Sequence, residues 1–549
     1  MNHRPWYILF SVLVALSASA LPQQDPGPPP VGETVEVTLI NVDVHVTDKN
    51  GNRVHGLTRD DFTIVENGVP QPISNFSEYR ESPGADTPGA VIKRNTRVEA
   101  PRSVVVFVDD LKVHPSNAKP VFETIRQTLR RTIRKGDAVS VVRWYTSLET
   151  LVEFTDDMGS IDRALDDVQK RASRPYDLRS DPRLVTPDQR PRYLSNTNPL
   201  PGSGDRDVRF ARQQAFEEKQ KLVRKIAAIN ATIQTLSSGD GKKAMLLVTD
   251  RLSAIAGADR FYAAGIDDIP SRAGRELDMR DEINSIISSA NANGVTIYPI
   301  HPEGMTQTTG DAANGGFNPG YDLATLSNET PSLVAVAEGT GGVAAWGSRD
   351  IPRKLPAMAD DFSSYYSLAY RVSTRREDRT RDVTVMATNP RLVVRARRSF
   401  VERSEPTKMR DRVTATLFRQ LTDASFPIAV ETGEPRAQGR KTIIPLTVRI
   451  PIGALTPLPQ DDGTYTAWIS VWATHASKAD DAATPSSERR TFKIAAGELE
   501  KASAGYMIYT VDVSVPRDAD RLAVGVLDEV SKAYGLTRVP VGPAQKAGL

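Results

Sequence analysis

The stretch Ser103-Val104-Val105-Val106-Phe107-Val108-Asp109-Asp110 decides the fold. Its centre is apolar without interruption, lacking the polar residue at every second position that marks a strand with one wet face. A strand buried on both faces belongs in a parallel sheet covered by helices. Working outward, Val121, Ile125, Leu129 and Ile133 recur at a spacing of four and predict a helix, with Ser116 or Asn117 to cap it and Gly136 to end it. Ala138–Tyr145 and Leu148–Phe154 follow, joined too tightly for a helical crossover, so they must pair antiparallel. Ile161, Leu165 and Val168 mark a second helix, and Leu222, Ile226, Ile229, Ile233 and Leu236 a strong third one. Then come a strand Ala244–Thr249 ending in Asp250, a helix around Ile283, Ile286 and Ala290, and a strand Val295–Ile300 ending at His301. A helix Leu333–Glu338, a turn at Gly339-Thr340-Gly341-Gly342, a strand Val343–Trp346 and a helix carrying Ile351, Leu355 and Met358 complete a domain spanning 101–361. Within it, 173–206 is rich in Pro, Arg, Asp, Asn and Ser without periodicity, and reads as a long surface insertion and candidate contact loop.

The flanks have a different period. In 34–100, apolar residues alternate at Val35, Val37 and Leu39, then change phase to Ile40, Val42, Val44 and Val46, which predicts a strand with a bulge or bend near Ile40. Asn67-Gly68 between short β-type runs predicts a tight hairpin turn. Alternation returns in 362–403, at Tyr365–Val372, Asp382–Thr388 and Leu392–Val401, so these strands are expected to complete the N-terminal β-unit around the inserted α/β domain. Thr407 to Asp411 reads as a polar joint. Within 404–549, strands at Thr442–Ile450, Thr464–Thr474, Arg490–Ile494, Met507–Val515 and Arg521–Asp528 suggest a β-sandwich without strong helices.

The chain has 549 residues, too many for one compact domain, and a net charge of +2, which gives no reason to invoke nucleic acid or an anionic membrane surface. It contains no cysteine, which excludes disulfides, thiolate metal sites, cysteine nucleophiles and a lipidated N-terminal cysteine. Residues 1–20 read as a signal peptide: His3 and Arg4, an apolar run from Trp6 to Leu16, and Ala18-Ser19-Ala20 in the form a signal peptidase accepts. Residues 21–33 read as a disordered spacer. The mature chain is then expected to be extracytoplasmic, periplasmic or secreted, with no membrane span.

The order of elements resembles the von Willebrand factor A fold, a mostly parallel sheet between helices with one antiparallel edge strand. A finer resemblance is to the von Willebrand factor A-related family known mainly from Acidobacteria. It is carried by Val42-Asp43-Val44-His45-Val46-Thr47-Asp48, Gly56-Leu57-Thr58, Asp61-Phe62-Thr63-Ile64-Val65-Glu66-Asn67-Gly68, Ala337-Glu338-Gly339-Thr340-Gly341-Gly342, Tyr365-Tyr366-Ser367-Leu368-Ala369-Tyr370 and Arg395-Ala396-Arg397-Arg398. It covers roughly 34–402. The fold resemblance implies a divalent-cation site built from Asp-x-Ser-x-Ser after the first strand, a distant threonine and a later aspartate. Asp109 and Asp250 match the two aspartates, but Leu111 and Val113 stand where the serines would be and Lys112 adds a positive charge. Two carboxylates and water would hold Mg²⁺ or another divalent cation only weakly, so the site is expected to be degenerate.

Asp109, Asp110, Asp250 and His301 all follow strands expected to be parallel, and open α/β sheets place ligands at those ends. Two functions follow. One is an exported, non-catalytic protein that binds a protein or cell-envelope partner through this crevice. The other is a secreted metal-dependent hydrolase using Asp109, Asp250 and His301. Polar residues also end buried strands and cap helices for purely structural reasons, and no His-Glu-x-x-His or Gly-x-Ser-x-Gly accompanies them, so the non-catalytic reading is preferred. Gly339–Gly342 follows a helix instead of opening one and lacks Gly-Lys-Ser/Thr, so it reads as a helix end and not a phosphate loop.

Overall fold

The computed structural model describes residues 38–80, 101–109, 115–145, 148–172, 203–236, 241–249, 252–263, 275–302, 319–372, 378–401, 403–417, 424–477 and 483–541. The expected signal peptide and spacer, Asp110, Asp250 and residues 173–202 of the insertion lie outside the described residues. Among the described residues, no helix is long and apolar enough to cross a membrane, a statement about helices alone.

The chain begins with β1 (Thr38–Thr47), β2 (Phe62–Glu66), β3 (Val69–Gln71) and β4 (Ile73–Arg80). Asn67 and Gly68, between β2 and β3, both have positive φ, 47° and 83°, as a type I′ hairpin turn requires. The α/β domain follows as β5 (Ser103–Asp109), α1 (Pro115–Thr132), β6 (Ala138–Trp144), β7 (Leu148–Thr155), α2 (Met158–Ala172), α3 (Ser203–Thr235), β8 (Lys243–Val248), α4 (Ala258–Ala263), α5 (Arg280–Asn293), β9 (Val295–His301), α6 (Pro319–Thr340), β10 (Ala345–Trp346), α7 (Gly347–Lys354) and α8 (Pro356–Ser363). Its sheet has the order β10-β9-β8-β5-β6-β7, parallel except for the β6–β7 pair at one edge.

Every residue of β5 is buried. Val104, Val106 and Val108 pack with Val121, Phe122, Ile125 and Leu129 of α1 on one face. Val105 and Phe107 pack with Leu222, Ile226, Ile229 and Ile233 of α3 on the other. Each such side chain removed from water contributes about 1.5–3 kcal/mol, which is why this one strand anchors both layers. The helix expected at Leu333–Glu338 is the end of the longer α6, and the expected last helix is two, α7 and α8, with Pro356 at the start of the second. Gly341, at φ +81°, takes the left-handed turn after α6, and a Cβ on Gly342 would meet the Ile297 carbonyl oxygen at 2.0 Å.

The chain then returns to β structure in β11 (Ser364–Val372), β12 (Thr380–Ala387), β13 (Val393–Ala396) and β14 (Ser399–Val401). One sheet runs β13-β1-β11-β4, in which strands from before and after the α/β domain alternate, and another runs β14-β12-β2-β3, in which β12 from after it pairs with β2 from before it. Ile40, Val42, Val44, Leu368 and Tyr370 meet Ile64 and Val383 between the two sheets. The bulge expected near Ile40 is not there: β1 pairs with β11 in unbroken register from Thr38 to Val44, and the register shift falls between Ala369 and Tyr370, where β11 meets β4.

This β-unit is clamped to the α/β domain by one buried carboxylate. Asp361 on α8 is 2% exposed. Arg395 of β13 donates to both its oxygens at 2.8 and 3.2 Å, Arg53 pairs with Oδ1, and the Tyr298 hydroxyl of β9 donates to Oδ2 at 2.8 Å. Burial opposes the charge on Asp361, but the neighbouring His45, Arg395 and Arg53 outweigh it and hold the carboxyl well below the usual range. Burial drives the His45 imidazole down to about 3, so at neutral pH the imidazole is uncharged and the two guanidiniums, with Lys242 nearby, face Asp361. His45 Nδ1 stands 3.3 Å from Asp361 Oδ1 without the geometry of a hydrogen bond.

The expected polar joint at Thr407–Asp411 is instead part of a helix, α9 (Glu405–Thr416). Ser404 caps it by accepting from the Thr407 N–H, Pro406 suits its first turn, and Met409, Val413 and Leu417 give it an apolar face. That face packs on Trp472, Ala523, Leu527 and Tyr534. The remainder is β15 (Ala429–Thr432), β16 (Arg436–Gln438), β17 (Lys441–Pro451), β18 (Leu458–Pro459), β19 (Thr464–Ser477), β20 (Ser486–Ala495), β21 (Tyr506–Pro516), β22 (Ala519–Asp528) and β23 (Tyr534–Pro540). One sheet centres on β17 and β21 and the other on β19 and β22, with Ile444, Leu446, Val448 and Ile450 facing Ile469, Val471, Val524 and Val526 in a shared core.

Candidate functional site

The strand ends singled out by sequence lie along one edge of the parallel sheet. Asp109 ends β5 and His301 ends β9, and these strands flank β8, which leads into Thr249. The Thr249 N–H donates to the Ile300 carbonyl at 3.0 Å, tying the end of β8 to that of β9. Asp109 and His301 are both buried, at 6% and 8% exposure. They engage different partners.

Asp109 accepts from the Thr249 hydroxyl at 2.8 Å and forms an ion pair, through the same oxygen, with the Lys225 ammonium. Lys225 lies on the apolar inner face of α3, one position before Ile226 and one helical turn before Ile229, and is itself 9% exposed. Two buried charges in low dielectric require each other, because leaving either alone costs several kcal/mol. His301 Nε2 stands 3.8 Å from Glu329 Oε2 on α6, and Ser253 Oγ stands 3.4 Å from the other oxygen of Glu329. Asp110 and Asp250 lie outside the described residues. Among the described residues, no group of three or more His, Asp or Glu side chains is placed to hold a metal ion.

Lys225, Thr249 and Glu329 were not singled out by sequence. Thr249 carried a signal, since it precedes Asp250 at the end of a predicted strand. Lys225 carried one too, as a lone cation between Leu222 and Ile226 on a helix face otherwise apolar; which carboxylate it meets depends on tertiary packing. Two other stretches form turns. Asp137, in Lys135-Gly136-Asp137, accepts from the Arg102 and Arg134 N–H groups at 2.8 and 2.9 Å, with Gly136 at φ +92°. Gly341 and Gly342 donate their N–H groups to the carbonyls of Glu338 and Ala337 at the end of α6.

No protein-family model matches the chain, and no curated protein matches it in sequence. Solved structures similar to part of it include the conserved hypothetical protein BatB from Bacteroides thetaiotaomicron, at 12% identity and a TM-score of 0.23 over 48% of this chain and 97% of that one. The vWF domain of the type V pili tip protein Mfa5 from Porphyromonas gingivalis is similar at 13% identity and a TM-score of 0.25, over 48% of this chain and 95% of that one. Manganese-loaded TRAP protein from Plasmodium vivax is similar at 9% identity and a TM-score of 0.22, over 54% of this chain and 92% of that one.

Proposed function

We propose that this is an exported, non-catalytic interaction protein whose α/β domain engages a protein or cell-envelope partner without a bound metal ion. The observation that carries this reading is the ion pair between Asp109 and Lys225. A divalent ion seated on Asp109 would lie within about 4 Å of the Lys225 ammonium. At an effective dielectric of about 20, that repulsion is roughly 8 kcal/mol. Hard cations also need several oxygen ligands, and Leu111 and Val113 offer none from their side chains. The lysine thus supplies, from within the fold, the positive charge that a cation would bring. The same pairing argues against the hydrolase: an ammonium beside a carboxylate makes it a poorer ligand for a catalytic metal and a weaker general base.

Two assays on the intact mature protein test this. Immobilised protein is incubated with extracytoplasmic extract in EDTA and, separately, in Mg²⁺. The reading expects the same partner retained in both, and retention only with Mg²⁺ contradicts it. Hydrolytic turnover abolished by Asp250→Ala would contradict it independently.

A further inference from the structure

Four of the stretches that carry the sequence resemblance play no part in the strand-end crevice. Val42–Asp48, Ala337–Gly342, Tyr365–Tyr370 and Arg395–Arg398 instead meet at the opposite edge of the parallel sheet, where β8 and β9 begin and the α/β domain sits on the β-unit. They line a cleft of about 390 Å³.

The charged groups of the cleft differ in how the described residues engage them. Lys242 and Arg397 line it, with Arg53 and Arg395 just behind, and the described carboxylates beside them are Asp43 and Asp361. Asp361 is already engaged by both inner arginines and by Tyr298. Asp43 lies 3.6 Å from Lys242 Nζ. The Lys242 ammonium also donates to the Asp361 backbone carbonyl at 2.9 Å and sits 3.2 Å from the centre of the Tyr365 ring. Arg397 is different. The other two arginines of its motif are paired, Arg395 with Asp361 and Arg398 with Glu338, whereas Arg397 makes no hydrogen bond or ion pair with any described residue. Gly294 leaves room for it, since a Cβ there would come within 3.4 Å of the guanidinium. Protein surrounds the group closely enough that burial holds it below its ordinary value, with Asp43 only partly compensating.

A guanidinium offers five N–H donors in a fixed planar fork that matches the two oxygens of a carboxylate or phosphate. Half-buried in a part-closed polar cleft, with no acceptor among the described residues and an ammonium alongside, it is placed to receive an anion. We propose that this cleft binds the oxyanion of a small ligand, a carboxylate or a phosphate group, gripped by Arg397 with Lys242 as the second charge. The site is separate from the Asp109 crevice and does not depend on the partner-binding reading.

The test is calorimetric titration of the intact protein with inorganic phosphate and with citrate, repeated on Arg397→Gln and Arg397→Lys. Saturable binding of phosphate alone, citrate alone or both assigns the oxyanion class. Arg397→Gln should weaken it by about tenfold or more, the value of one charge-assisted pair. Arg397→Lys, which keeps the charge and loses the fork, should fall between the two and guards against a folding defect in the first variant. Near-ultraviolet circular dichroism checks that each variant keeps its packing. Absence of saturable binding for both probes, or unchanged affinity in a folded Arg397→Gln, overturns the proposal.

Discussion

The two edges of one parallel sheet are chemically opposite. At the carboxyl ends of the strands, Asp109 is met by Lys225 and His301 faces Glu329, each charged group set against one of opposite or titratable kind. At the amino ends, Lys242 and Arg397 line a cleft in which, among the described residues, Arg397 has no ion-pair partner. Open α/β sheets generally take ligands at the carboxyl ends of their strands, because helix N-termini and loops converge there. Here, among the described residues, Asp109 at that edge is met by an ammonium from within the fold, and the edge joined to the β-unit holds the guanidinium of Arg397 with no described partner. Topology therefore indicates where a site can lie, while the pairing of each charged side chain decides which edge still has something to bind.

Several substitutions would break or sharpen this contrast. The largest effect belongs to the clamp beneath the cleft. Asp361→Ala leaves Arg53 and Arg395 without their carboxylate and should cost about 3–5 kcal/mol in a urea titration, with the β-unit losing protection before the α/β core. A loss below about 1 kcal/mol would mean that Asp361 does not join the two units.

At the other edge, Lys225→Met strands Asp109 in the interior and should cost about 3 kcal/mol, while Asp109→Asn combined with Lys225→Met should recover most of that loss. Additive losses in the double variant would show that the two groups do not interact.

Acid separates the edges next. The folded pKa of His45 lies near 3, below its ordinary 6.5, so as pH falls the unfolded chain takes up this proton before the folded one. Its contribution to stability is complete above about pH 6.5 and is lost as pH falls toward 3, with a slope of at most about 1.4 kcal/mol per pH unit. His475, also lowered, acts in the same direction, and Asp361 adds its own loss only below its ordinary 3.8. The difference between wild type and His45→Gln isolates His45: thermal melts from pH 6.5 to 4 should fall less steeply in the variant, and parallel curves would refute the assignment. The smallest effect is expected at Arg398, whose pair with Glu338 is solvent-exposed; Arg398→Ala should change stability by less than about 0.5 kcal/mol. Arg395→Ala, three residues earlier in the same motif, should cost several times more.

How legible each part was in the sequence follows from what holds it together. The run Val104–Val108 announces a strand buried on both faces, because the requirement is met residue by residue. The antiparallel β6–β7 pair follows from the short connection between Trp144 and Leu148. Asn67-Gly68 announces its turn through backbone conformation alone. By contrast, α9 was missed because Thr407–Asp411 was read for polarity, while its apolar positions, Met409, Val413 and Leu417, sit among charged neighbours and gain meaning only against Trp472 and Tyr534. The site was half legible. Asp109 and His301 could be placed at strand ends from local pattern. Lys225 and Asp109 are 116 residues apart, and only packing α3 on the sheet brings them together. The cleft was invisible for the same reason: Asp43, Lys242, Asp361 and Arg397 come from segments that meet only in three dimensions.

The central claim is that the carboxyl-end crevice holds its own positive charge and needs no metal. Isothermal titration of the mature protein with Mg²⁺, Mn²⁺ and Ca²⁺, alongside Asp109→Ala, tests it most directly. The account predicts no saturable heat in either protein. Saturable binding in the wild type that disappears in Asp109→Ala would contradict it, showing that a cation displaces the Lys225 ammonium.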